Sequence, residues 1–289
     1  MKQIYLDYAA TTPVEPTVLK AMLPYFSKEF GNPGSFHDKG KIAKDAMDEA
    51  RAKIAKILSC KSEEIIFTSG GTESINLAIK GIVHANKDRG NHIITTQIEH
   101  HAVLHVCQFL EKNGCNVTYL PVDKNGLVNP EDLRKAITPK TILVSIMYAN
   151  NEIGTIEPIK EISKITKEKG IYFHTDACQA AGALPLNVQS LGVDLLTLNG
   201  SKIYGPKGIG LLYIKQGTKI IPLIHGGGQE NDMRSGTENV PLIVGFAKAF
   251  ELIQGDMEIE NHRLVELRDY LIEGLLKVPK SRLNGDKEK

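Results

Sequence analysis

Two lysines stand among glycines in LNGSKIYGPKGIG, residues 198–210: Lys202 and Lys207. Glycine at that density forces a tight backbone path. A lysine held in such a path and stripped of water gives up its proton more easily and becomes an amine nucleophile. Lys202 follows an apolar run and a glycine, so it should point across the rim of the structure that run builds. Lys207, between Pro206 and Gly208, reads as tracking solvent or backbone. A second loaded stretch, FHTDACQ at 173–179, ends an apolar run in Asp176. A partly buried carboxylate there needs a cationic partner, and a protonated ring nitrogen on a ligand would serve. Gln179 could reach the same ligand; the plainer reading of Asp176 is a helix N-cap.

FTSGGTES, residues 67–74, has the order strand, small-residue turn, helix. Gly70 and Gly71 leave backbone N–H groups open, and Thr72 adds a hydroxyl at a helix N-terminus, which together suit a phosphate. The stretch is neither G-x-x-x-x-G-K-[ST] nor G-x-G-x-x-G, which argues against ATP and dinucleotides. The plainer reading is a helix start capped by Thr72 or Ser69. In IEHHAV, residues 98–103, two adjacent histidines face different ways and no H-x-x-x-H or H-x-H spacing is read beside them, so no metal site is expected, and one ring could lie flat on an aromatic ligand. YANNEIGT, residues 148–155, offers two amides after a strand, either ligand donors or turn formers. A phosphate cradle, an acid for a ring nitrogen, a flat neighbour and a lysine for an aldehyde are together what pyridoxal phosphate requires.

These groups need a common scaffold. From residue 65 onward, short apolar runs (EIIFT, HIITTQ, NVTYLPV, TILVSIMYA, IYFHTD, LLTLN, GIGLLYI) alternate with helical patterns. TESINLAIKGIVHANK places Ile75, Ala78, Ile79, Ile82 and Val83 on one face, and Asn129 with Pro130 reads as the N-cap and first turn of another helix. Alternation with near-continuous apolar strands predicts an α/β fold, a mainly parallel sheet with helices on both faces. Ligands then bind beyond the carboxyl ends of the strands, where every polar cluster above falls. After Gly228 two helices are expected, TENVPLIVGFAKAFELIQ and EIENHRLVELRDYLIEGLLKV. The expected layout is an N-terminal segment 1–15, a cofactor domain 16–255, and a linking helix at 256–289 beginning a smaller domain.

Composition narrows the class of partner. Thirty-five basic and 34 acidic residues give a net charge of +1 over 289 residues, which offers no footprint for nucleic acid or an anionic membrane. No apolar run is long enough to span a bilayer, and the N-terminus lacks a secretory h-region. The four cysteines, Cys60, Cys107, Cys115 and Cys178, form no C-x-x-C pair, which fits reduced thiols in a cytoplasmic protein.

Read in order, YLDYAATTP, GNPGSFH, FTSGGTESINLAIKG, IEHHAVL, NNEIG, HTDACQAAG, GSKIYGPKGIG and GGGQENDMRSGTEN resemble the cysteine desulfurases. These are class V aminotransferase-like members of the fold-type I pyridoxal phosphate enzymes. The resemblance implies Lys202 as the Schiff-base lysine, Asp176 as the pyridinium partner and Gln179 as donor to the ring hydroxyl. It implies His100 as ring-stacking residue and proton carrier, Gly71 and Thr72 as phosphate binders, and Asn151 as a ring-side contact. Thr237 resembles the residue that reaches the phosphate of a partner subunit, which implies a homodimer. Many relatives carry a histidine just before the lysine and a serine two residues before that; here these are Ser201 and Asn199, either of which can still donate to phosphate.

Relatives continue past this point into a smaller domain, with a mobile loop bearing the nucleophilic cysteine and an arginine for the substrate carboxylate. None of the four cysteines lies in such a loop. The expectation is therefore a truncated desulfurase that binds pyridoxal phosphate and releases little or no sulfur. Its substrate is L-cysteine, and its product sulfur goes to an iron–sulfur scaffold or a tRNA-thiolation pathway. A selenocysteine lyase or other class V lyase, or a non-catalytic remnant serving dimerisation or partner binding, are the alternatives.

Overall fold

The computed structural model describes residues 3–288. Its strands are β1 (Ile65–Thr68), β2 (His92–Thr96), β3 (Asn116–Leu120), β4 (Thr141–Ser145), β5 (Tyr172–Asp176), β6 (Leu195–Asn199) and β7 (Gly210–Ile214). They form one sheet in the order β1-β7-β6-β5-β4-β2-β3. Strand β7 runs antiparallel to both its neighbours, and the other pairs are parallel. The mainly parallel sheet was expected; the reversed strand has a local cause. The link at 200–209, which carries Lys202, is too short to return the chain for a parallel partner, which takes a dozen or more residues.

Both faces of the sheet are covered, so its strands are apolar on both sides. Phe67, Leu196, Leu198, Leu211 and Tyr213 join one core, and Ile66, Leu195 and Leu212 join the other, as alternation along a strand demands. The helices are α1 (Pro16–Met22), α2 (Pro24–Ser27), α3 (Asp38–Leu58), α4 (Gly71–Ala85), α5 (His101–Lys112), α6 (Pro130–Ala136), α7 (Ile159–Glu168), α8 (Val188–Leu191) and α9 (Val240–Leu275). Ile75 and Ile79 of α4 and Val103 and Val106 of α5 fill the second core. Ile54 of α3, Ile162 of α7, and Ile243, Phe246 and Phe250 of α9 fill the first.

Several helices differ from the sequence reading: α1, α2 and α8 were not anticipated, and α3 and α9 bear most on the layout. Helix α3 was not anticipated: its buried face is built largely of small residues, Gly40, Ala43, Ala50 and Ala55, and so carries a weak apolar signal. The two expected C-terminal helices are one 36-residue helix, α9, continuous through Gly255. A single interior glycine costs a helix only about 1 kcal/mol relative to alanine, too little to break it. The expected boundary between residues 255 and 256 therefore falls inside this helix. Its first half packs on the core, whereas Ile259, Leu267, Tyr270 and Leu271 in its second half are exposed. No helix among the described residues is long and apolar enough to cross a membrane.

Candidate active site

At the carboxyl ends of β1, β2, β4, β5 and β6 lies a cavity of about 430 Å³. Gly71, Thr72, His100, Asn151, Asp176, Gln179, Asn199, Ser201 and Lys202 all line it. The parallel strands deliver Asp176 and Asn199 to one rim as their last residues, and the turns that follow add the rest. Thr237 is not among the lining residues. It lies with Ser69 and Arg234 in a separate, smaller cavity beside the β1 turn.

The turn at 69–72, where a phosphate was expected, has open backbone N–H groups. Helix α4 begins after Gly70 with no side-chain cap, so neither Thr72 nor Ser69 serves as one. Glu73 instead takes the Ser69 N–H on Oε2 at 2.9 Å and the Arg234 Nε–H on Oε1 at 2.8 Å, which braces the turn from outside the cavity. The backbone N–H groups of Gly71 and Thr72 find no acceptor among the described residues, and the helix dipole adds to their pull on an anion. Gly70 has φ of +152°, which favours glycine. At Gly71 a Cβ would sit 3.1 Å from Cys178 Sγ, so the lack of a side chain keeps the turn close against β5 and β6.

Asp176 is 7 % exposed, accepts the Cys178 N–H on Oδ1 at 3.0 Å, and has no cation within ion-pair distance among the described residues. It caps no helix, so the plainer reading of Asp176 does not hold. A buried carboxylate without a cation is an unmet demand, and a protonated ring nitrogen meets it. Around the lysine, the Asn199 Oδ1 accepts from the Ser201 N–H at 3.2 Å and from the Ser201 hydroxyl at 3.3 Å. That leaves the Asn199 Nδ2 group, close to Gly71, as the free donor of the pair. Asn151 donates to Glu152 at 2.8 Å, while Asn150 is turned inward onto the Ile98 carbonyl.

The N-terminal arm contributes contacts that sequence reasoning gave no role. Lys202 Nζ donates to the Ala9 and Ala10 carbonyls, both at 2.7 Å, and Gln179 Nε2 donates to Ala9 O at 2.8 Å. Thr12 ties the arm to the lysine turn: its N–H and hydroxyl both reach Ser201 O, and its Oγ1 accepts from Tyr204 N–H. Lys207 donates to Thr12 O at 3.2 Å, the backbone role expected of it. Only the run YLDYAATTP hinted at this arm, and its contacts go through carbonyls that side-chain patterns do not reveal.

His100 caps α5, with Nδ1 accepting the Ala102 N–H at 3.1 Å, so the proton of the neutral ring sits on Nε2. His101 does have a helix-spaced neighbour that the sequence reading passed over: its ring lies 5.2 Å from that of His105, one turn along α5. No cluster of three or more potential metal ligands occurs among the described residues. Glu99, also missed, is a buried carboxylate beside His100 with one oxygen lacking any partner.

The thiols are set against nucleophilic use. Burial raises all four, Cys60 and Cys107 to about 12. Cys178 alone lines the cavity, and burial, the Asp176 charge and its hydrogen bond with Asp176 push it well above the ordinary thiol value. A neutral thiol is a poor nucleophile, so Cys178 acts as cavity wall.

Comparisons with known proteins identify the family. The family model for class-V aminotransferases matches residues 4–289. The cysteine desulfurase IscS of Methanosarcina thermophila is 60% identical over 284 residues, covering 98% of this chain and 70% of that protein. IscS of Clostridium botulinum strain Hall is 56% identical over 288 residues, covering 99% of this chain and 72% of that protein. Among solved structures, a NifS-like protein superposes with a TM-score of 0.97 at 42% identity, over 99% of this chain and 79% of that one. The chain belongs to the class-V aminotransferase family, among the pyridoxal phosphate-dependent cysteine desulfurases.

Proposed function

We propose that this chain holds pyridoxal phosphate in the Lys202 cavity and serves the removal of sulfur from L-cysteine. The products are L-alanine and a persulfide on an acceptor thiol, so that the C–S bond broken in the substrate is replaced by the S–S bond formed. The observation that carries this reading is the buried Asp176 carboxylate, without a cation of its own, in one cavity with Lys202 and the open start of α4. One solved relative, SspA, is described in complex with cysteine, at 45% identity and a TM-score of 0.84 over 86% of this chain and 72% of that one.

The cofactor, when bound, supplies an electron sink for bond breaking at the substrate. The chain's own residues bind and orient. The Gly71 and Thr72 N–H groups, the Thr72 hydroxyl and the Asn199 amide hold the phosphate end. Asp176 holds a proton on the ring nitrogen. Lys202 supplies the amine, once its proton has left and the Ala9 and Ala10 carbonyls have released it. His100, its Nδ1 committed to Ala102, would move protons through Nε2 and stack on the cofactor ring, and Asn151 and Gln179, released from Glu152 and Ala9 O, would be its side contacts. The acceptor thiol is none of Cys60, Cys107, Cys115 and Cys178. Thr237, outside its own chain's cavity, suits the reading that two copies pair and each lends Thr237 to the other's phosphate. The released sulfur then passes to an iron–sulfur scaffold or another acceptor protein.

Titration with pyridoxal phosphate, followed by visible absorbance in wild type and Asp176→Ala, tests the reading. A saturable band that weakens in the variant is expected; no band in folded wild type would sink it. Alanine formation from L-cysteine, compared with selenocysteine and measured with an acceptor thiol supplied in trans, separates the substrate readings.

A further inference from the structure

We propose that Glu99 is a positioning residue for His100, holding the turn between β2 and α5 closed through a proton that it keeps on Oε2. Glu99 is 5 % exposed, and its neighbour in the chain, His100, lines the cavity. One oxygen does the tying: Oε1 accepts the Thr96 hydroxyl at 2.7 Å and the Met147 N–H at 3.0 Å. Thr96 is the last residue of β2, and Met147 lies just beyond β4 and lines the same cavity. A single buried oxygen thus joins the turn that carries His100 to the adjacent cavity wall.

The other oxygen, Oε2, is buried with no partner. A bare carboxylate oxygen in that position is far costlier than a neutral hydroxyl. Because Oε1 already accepts two hydrogen bonds, the proton belongs on Oε2. The charged neighbours agree. Asp176 from the end of β5 and Glu157 from the segment before α7 both repel a charge on Glu99, and no cation pairs with it among the described residues. Cys107 on α5, raised to about 12, remains neutral beside it. Burial, the largest influence, lifts Glu99 to about 8. Asn150 makes a second tie to the same turn, from Nδ2 to the Ile98 carbonyl at 2.9 Å, and that amide does not titrate. Glu99 is therefore the part of the clasp that opens as pH rises, when a charged Oε2 seeks water and the turn gives way.

The idea rests on the proposed cofactor site for one arm of its test only. The first arm follows the His100 ring by NMR in the chain without cofactor, across neutral to alkaline pH. Besides any inflection at lower pH, wild type should show a second inflection near the Glu99 transition. Glu99→Gln, which keeps the shape and the Oε1 acceptor, should lack the second inflection and match wild type below it. A single inflection in wild type, or the same second inflection in Glu99→Gln, would overturn the proposal. The second arm measures pyridoxal phosphate affinity in both proteins. The ratio of their dissociation constants should stay near one at acid pH and reach about tenfold one pH unit above the Glu99 transition, with wild type the weaker. A ratio that does not change with pH would overturn it. Failure of wild type to bind cofactor at any pH would instead remove the cofactor reading, and the NMR arm would still decide Glu99.

Discussion

Arg51 and Glu230 form a buried ion pair whose removal should loosen a loop that braces the phosphate turn. Arg51 on α3 is 9 % exposed and Glu230 is 7 % exposed. The contact is bidentate, Nη2 to Oε1 at 2.7 Å and Nη1 to Oε2 at 2.9 Å, and Arg51 also donates to Ile65 O at 2.6 Å. Glu230 Oε2 takes the Phe67 N–H of β1 at 2.8 Å as well. Glu230, Asn231 and Asp232 are successive non-glycine residues with φ of 49°, 56° and 62°. Each left-handed residue costs about 1 kcal/mol, so the loop stores roughly 3 kcal/mol that its anchor must outweigh. Arg51→Met leaves Glu230 buried and unpaired, a loss of about 3–5 kcal/mol in comparable sites. The double variant Arg51→Met, Glu230→Met removes the stranded charge and should recover part of that loss, the remainder being the partners it takes from the Phe67 N–H and the Ile65 carbonyl. Urea unfolding of the single and double variants measures both quantities. Because Arg234, further along the loop, grips Glu73, the single variant should also bind pyridoxal phosphate more weakly. A loss under about 1 kcal/mol in Arg51→Met, or a double variant no better than the single, would refute the reasoning.

Gly210→Ala should destabilise the fold by about 1–3 kcal/mol and weaken phosphate binding. The new Cβ would lie 2.6 Å from the Gly70 carbonyl carbon, backbone that cannot move without shifting the phosphate turn, and thermal unfolding with a phosphate titration checks it. Glu157, 2 % exposed, is raised to about 7 by burial, with Oε1 lacking a partner. A carboxyl raised on folding stabilises the fold at acid pH, and that contribution is lost as pH climbs from its unfolded value through the folded one. Glu157→Gln should therefore gain on wild type between about pH 4.5 and pH 7, by on the order of 2 kcal/mol, in parallel denaturant melts. Asn231→Gly should stabilise by up to about 1 kcal/mol in the same assay, because glycine adopts positive φ without strain.

The strands and the cavity were legible because the same residues carry both signals. β1, β5 and β6 are short, largely buried runs that stop in polar turns, and those turns line the candidate cavity. Asp176, Gly71 and Lys202 could be placed from this pattern alone, and the order of motifs supplied the family. What stayed hidden depends on contacts that no local pattern encodes. The Ala9 and Ala10 carbonyls reach Lys202 beside Thr12, which docks onto Ser201 across 189 residues of chain. Glu99 sits in a stretch whose histidines drew attention, and its burial follows from the packing of β4 beside β2. Helix α3 shows its face in alanines, and α9 runs through a glycine that reads as a stop. Thr237 was placed by resemblance, and within one chain it stays apart from the cavity.

The proposed cofactor site depends on Lys202 as the residue that takes the cofactor. Incubation with pyridoxal phosphate, reduction with borohydride and peptide mapping by mass spectrometry tests this directly. A stable cofactor adduct is expected on Lys202, none on Lys207, and it should be lost in Lys202→Ala. An adduct on Lys207, or a folded wild-type chain with no adduct at all, would contradict it.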